Sequence, residues 1–103
     1  MTITQVAIFK KLNGKIHCDI VFDSLLILRG LHFKADTPEP YFVCPFIDKF
    51  NKLNDNYTRR FYFNPLNNGF RKYITDTINK CYQEMLKENL TRKIFNLQKG
   101  LII

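Results

Sequence analysis

Asn13-Gly14 separates two strand-like runs, and no other feature restricts the fold of this chain so tightly. The dipeptide supplies the left-handed backbone that hairpin turns need. Before it, Ile3 to Lys11 is rich in β-branched and aromatic residues without a breaker. After it, Lys15 to Phe22 alternates. Ile16, Cys18, Ile20 and Phe22 fall on one side, Lys15, His17 and Asp19 on the other, and only Val21 interrupts the polar side. A period of two over that length is a half-buried strand. The pair predicts an antiparallel hairpin with one face committed to a core.

The rest of the chain extends this sheet. Asp23-Ser24 predicts a tight turn into a third strand, Leu25 to Lys34, with Leu25, Ile27, Leu31 and Phe33 on one face. Arg29 shares that face, which places it near an edge or across from a partner, and Gly30 is expected to mark a bulge. Two prolines make 36–40 a loop, because proline has no ladder donor. Tyr41 to Cys44 reads as a short strand ended by Pro45, Phe46 to Asn56 as a long loop, and Tyr57 to Phe63 as a fifth strand. Asn67 is the expected N-cap of a helix over roughly 67–88. Phe70, Tyr73, Ile74, Thr77, Ile78, Cys81, Met85 and Leu86 recur there at helical spacing. Beyond Asn89, a short amphipathic helix is expected from Thr91 to Lys99, stopped by Gly100. The fold class is therefore α+β: an antiparallel sheet of about five strands followed by a C-terminal helix packed on it. The organisation is a domain over 1–88 and an extension over 89–103.

A chain of 103 residues with 46% hydrophobic and 15% aromatic residues builds one core without staples. No stretch is long and apolar enough to span a membrane, and the N-terminal residues lack a secretory pattern, so a cytoplasmic protein is expected. Cys18, Cys44 and Cys81 are widely spaced and read as buried small hydrophobes in a reducing compartment, ahead of a zinc site shared with His17 or His32. Asp23 reads as a turn residue. No glycine-rich phosphate loop, serine elbow or metal-ligand spacing is present, so neither an enzyme, nor a cofactor, nor a small-molecule substrate is expected.

The net charge of +7 suits a polyanionic partner. Residues 1–34 carry five Lys/Arg against two acids, 35–64 four against four, and 65–103 seven against three. The excess lies in the first strands and the C-terminal region.

The order of these segments resembles the septation regulator family, known as stage V sporulation protein G. The likeness is carried by Ile3-Thr4-Gln5-Val6, then by Val21-Phe22-Asp23-Ser24 leading into Leu25–Leu28. It continues in Tyr41-Phe42-Val43-Cys44-Pro45, in Asn64-Pro65-Leu66, and in a helix opening with Phe70-Arg71-Lys72. It covers about residues 2–88. It implies a homodimeric bacterial regulator that binds DNA and, in some members, RNA. Three departures stand out. Asn64 replaces the family's histidine before proline, the loop after Pro45 is longer and less basic, and the tail beyond Leu90 has no counterpart.

The candidate phosphate contacts are Lys10, Lys11 and Lys15 beside the first turn, Lys49 and Lys52 in the 46–56 segment, Arg59 and Arg60 on the fifth strand, and Arg71 and Lys72 at the helix start. Cations at a helix N-terminus oppose the macrodipole, which favours a partner-facing role for the last two. Phe46 and Phe50 are the candidates for stacking on bases. The competing account makes these charges a solvated surface and the rings core. It leaves a protein–protein interaction or scaffold module, with the apolar tail at 90–103 docking on a partner or zipping a dimer.

Overall fold

The computed structural model describes residues 1–53 and 55–97. Its elements run β1 (Ile3–Lys10), β2 (Ile16–Phe22), β3 (Leu26–Lys34), β4 (Tyr41–Val43), β5 (Phe46–Asn51), β6 (Asn56–Phe61), α1 (Asn68–Lys87) and β7 (Arg92–Asn96). Five strands form one antiparallel sheet in the order β4-β3-β2-β1-β7, with α1 on one face. β5 and β6 form a separate two-stranded antiparallel ribbon. The α+β class with a helix packed on a five-stranded antiparallel sheet is as the sequence predicts.

The first hairpin forms as its turn residues dictate. The Lys11 amide donates to the Lys15 carbonyl at 2.8 Å, the Gly14 amide to the Lys11 carbonyl at 2.9 Å, and Gly14 takes φ +87°. This is a three-residue connection with glycine at the left-handed position. It sets Phe9 opposite His17 and Ile8 opposite Cys18. The second turn is tighter. Asp23 and Ser24 both adopt left-handed backbone, and the Leu25 amide donates to the Phe22 carbonyl. Thr4 is buried and pins this turn from β1: its hydroxyl donates to the Val21 carbonyl and accepts from the Ser24 amide.

Gly30 marks a bulge, as expected, and the bulge changes which residues of β3 face inward. Cys18 pairs with Leu31, but Ile20 pairs with Leu28. The Gly30 amide donates to the Asp19 carboxylate at 3.0 Å, and Gly30 takes φ +79°. The extra residue shifts the alternation. Leu31 and Phe33 are buried and Leu28 packs on the core, whereas Leu25, Ile27 and Arg29 are exposed. The single apolar face expected for 25–33 is therefore two half-faces, and Arg29 leaves the core side altogether.

Helix α1 begins at the expected cap: the Asn67 side chain accepts from the Phe70 amide at 2.8 Å. Its stripe buries Ile74, Ile78, Cys81, Tyr82 and Met85 against Ile3, Val6, Ile8, Ile20 and Phe22. Tyr82 joins the stripe, while Leu86 is exposed. All three cysteines are free and buried. Burial pushes the Cys18 thiol up to about 12 and the Cys81 thiol up to about 11.

Two expectations give way. The segment after Asn89 is not a helix over its described part. Asn89 takes φ +55°, the chain turns back, and Arg92–Asn96 pairs with β1. The free edge of β1 offers a full set of backbone partners, and Phe95 packs on the core. The expected helix end at Lys99 and Gly100, and the Leu101-Ile102-Ile103 tail, lie outside the described residues. Nor is 46–56 a long loop. Phe46, Asp48 and Phe50 oppose Phe61, Arg59 and Tyr57 across the ribbon. The expected fifth strand, 57–63, is thus β6 of the ribbon, ending at Phe61, and β7 completes the main sheet.

Candidate nucleic-acid interface

The sheet has one face under α1 and one face open. Register decides what the open face displays. Arg92 pairs with Phe9, Phe9 with His17, His17 with His32, and His32 with Val43. One row of side chains thus crosses the sheet from β7 to β4, one residue per strand. A second row holds Ile94, Ala7, Asp19 and the bulge, and a third holds Asn96, Gln5, Val21 and Ile27.

Rings dominate the first row, with one cation, Arg92, at its β7 end. The Arg92 guanidinium lies 5.6 Å from the centre of the Phe9 ring, and Phe9 is 43% exposed. The rings of His17 and His32 sit 4.2 Å apart. Nε2 of His17 is closed off from solvent and has no hydrogen-bond partner. Both imidazoles are held below the usual histidine range. Burial is the first cause for each. For His17 the next are His32, Lys11 and Lys15, opposed by Asp19; for His32 they are Lys34, Lys15 and Lys11. Three lysines therefore bear on one histidine pair.

Beyond β4 the surface continues onto the ribbon. His32, Lys34 and Val43 line one shallow cavity with Pro45, Phe46 and Arg59. The Arg59 guanidinium stacks 3.8 Å over the Phe46 ring and is salt-bridged to Asp48 at 3.1 Å. Phe50 and Tyr57 pair further out on the same ribbon face, 5.2 Å between ring centres.

The charge on this side is lopsided. Across the five strands of the main sheet the only acidic residue is Asp19, and its carboxylate is already engaged by the Gly30 amide. The other eight acids lie in turns, in the ribbon, and in α1 and its C-cap. Lys11, Lys15, Arg29, Lys34 and Arg92 have no acidic side chain in salt-bridge contact among the described residues.

The cations singled out from the sequence do not gather in one place. Lys11 and Lys15 belong to the open face. Lys10 ends β1 half-buried, and its amide donates to the Thr91 carbonyl. Arg59 and Arg60 point to opposite sides of the ribbon, as adjacent strand residues must. Lys49 shares the Arg60 side, opposite Phe46 and Phe50, and Lys52 lies in the ribbon turn. Phe46 and Phe50 are partly exposed, each against another ring of the ribbon.

Arg71 is a brace. Its guanidinium donates to the Asn64 side chain at 2.8 Å and the Pro65 carbonyl at 3.0 Å, and it stands over the Phe42 ring. Those contacts explain a cation in the first turn of a helix without a partner molecule. Lys72 pairs with Asp76 one turn on.

Phe9, His17, His32, Lys34, Arg29 and Arg92 were not legible as a group from composition. The signal that assembles most of them is register: once Asn13-Gly14 fixes the hairpin, the odd positions of β1 and β2 must share a face. Among the described residues, no three His, Cys, Asp or Glu side chains converge in a way that could hold a metal ion. No helix is long and apolar enough to cross a membrane. No family model, no curated protein and no solved structure matches the chain.

Proposed function

We propose that this protein is a non-enzymatic, nucleic-acid-binding regulator that engages phosphates through the open face of its sheet and acts as a homodimer in the cytoplasm. The observation that carries this reading is the charge segregation. Lys11, Lys15, Arg29, Lys34 and Arg92 stand without acidic partners around a face whose single carboxylate is occupied by backbone. A solvated antiparallel face normally mixes both signs more evenly, so a face with five unpaired cations against one carboxylate among the described residues suits a polyanion. The resemblance of the segment order to that of the septation regulators supports the same reading, as does the net charge of +7.

Electrostatic binding of this kind is read by its salt dependence. Each phosphate neutralised contributes about −0.9 to the slope of log K against log salt on duplex DNA and about −0.7 on single strands. Fluorescence polarisation with labelled DNA and RNA across a salt series is the test. Absence of binding at low salt would remove the proposal.

The alternative, a protein–protein module, draws on the ribbon. Every described side chain of β6 is exposed, Tyr57 most at 71%, and Tyr62 just past the strand is 70% exposed. A lone two-stranded ribbon is marginal in water. Self-association in sedimentation of the full chain, together with no oligonucleotide binding at low salt, favours this alternative.

A further inference from the structure

We propose that the ligand is an unpaired nucleic-acid strand, laid across the sheet from the β7 edge to the base of the ribbon, with bases stacked on Phe9 and Phe46 and phosphates held by Lys15, Lys34 and Arg92. This rests on the nucleic-acid reading above and names its substrate class.

Geometry favours single strands. Bases in a duplex hide their faces in the stack, so exposed rings give them nothing. Unpaired bases offer a π-face to any accessible ring, whatever the sequence. Phe9 is 43% exposed and Phe46 37%, and both lie on the open side against a guanidinium: Arg92 stands 5.6 Å from the Phe9 ring centre, and Arg59 is stacked over Phe46, where its planar group offers a base the same kind of stacking. Between them the His17–His32 pair and Val43 continue the row without a gap in register. Five strands at about 4.8 Å spacing make this row about 19 Å wide, room for a few nucleotides.

Duplex readout by a helix, by contrast, has no element to use on this side. A duplex is commonly read by a helix lying in the major groove. Here α1 buries Ile74, Ile78, Cys81, Tyr82 and Met85 under the opposite face, and Lys72 is paired with Asp76. The open face is a broad sheet, which suits a strand lying across it.

The test compares a labelled oligothymidylate and an oligouridylate of about 12 nucleotides with a duplex of the same length at low salt. The full chain, Phe9→Leu and Phe46→Leu are titrated, with circular dichroism confirming fold. The two substitutions sit on different bodies, the sheet and the ribbon, so a folding failure in one leaves the other informative. Single strands are expected to bind at least tenfold more tightly than the duplex. Each substitution should weaken single-strand binding roughly 5- to 150-fold and leave duplex binding unchanged. The thymidylate and uridylate arms separate DNA from RNA preference, and tight binding of either supports the proposal. Equal or tighter duplex binding overturns it, as does single-strand affinity untouched by both substitutions. In those cases salt-dependent binding would persist and the broader nucleic-acid reading would stand. Failure of every ligand at low salt overturns both.

Discussion

The bulge at Gly30 controls which side of β3 its cation occupies, and replacing Gly30 with alanine isolates its backbone cost. Space is not the obstacle. A Cβ at this position would meet the Pro45 ring at 3.9 Å and 4.0 Å, ordinary van der Waals contact. The hydrogen bond to Asp19 is not the obstacle either, since the donor is the backbone amide. What remains is the left-handed conformation, φ +79°. An L-residue with a Cβ pays about 1–2 kcal/mol there. At a urea m-value of about 1–3 kcal/mol/M, a cost near 1.5 kcal/mol moves the unfolding midpoint down by about 0.5–1.5 M. Gly14→Ala is the matched control, because Gly14 takes φ +87° with nothing within 4 Å of its added Cβ. The two variants should lose similar stability with unchanged m-values. A Gly30→Ala variant as stable as wild type would refute the bulge. A loss far beyond that of Gly14→Ala would show that crowding at Pro45, not backbone conformation, governs the site.

Other substitutions probe single contacts. The amide of buried Ile3 donates to the Tyr73 hydroxyl at 2.8 Å, so Tyr73→Phe orphans it and should cost about 1–2 kcal/mol in urea unfolding. Asn67→Ala removes the N-cap of α1 and should cost about 1 kcal/mol by the same assay, with Asn67→Ser restoring most of it. The His17–His32 pair gives stability a pH dependence of definite sign. Both folded-state values lie below 6.5, so near and below pH 6.5 the unfolded chain binds more protons. Their contribution is fully present above pH 6.5 and is lost as pH falls toward the lowered values. The thermal midpoint of wild type should therefore drop more between pH 7.5 and about 5.5 than that of a His17→Gln/His32→Gln double variant. Identical slopes would rule out the pair as the cause.

The sequence carried the fold further than the site, for reasons visible in particular residues. Lys15–Phe22 buries Ile16, Cys18, Ile20 and Phe22 because their alternation leaves one solution, and Asn13-Gly14 fixes the partner strand. Asn67 caps α1 because a side-chain oxygen there reaches an orphan amide. By contrast, Leu90, Ile94 and Leu97 match a helical spacing as well as Arg92–Asn96 matches a strand. The open edge of β1, a tertiary feature, decides between them. The ribbon was obscured by its composition: Asp48, Lys49 and Asn51 make 46–51 look like a loop, although Phe46 and Phe50 already stand at a period of two. The surface followed the same logic. Adjacent cations such as Arg59-Arg60 draw the eye, yet a strand sends them to opposite sides. Residues far apart in the chain, Phe9, His17, His32, Lys34 and Arg92, meet because three strand registers align them.

The central proposition is that ligand meets the open sheet face rather than the helix. Backbone amide shifts of the assigned protein, followed during titration with a short single-stranded oligonucleotide at low salt, test it most directly. Shifts are expected to concentrate at Ala7, Phe9, His17, His32, Lys34, Phe46 and Arg92, with the exposed side of α1 around Lys72, Asp76 and Lys80 unmoved. Shifts confined to α1, with those seven amides unchanged, would contradict it.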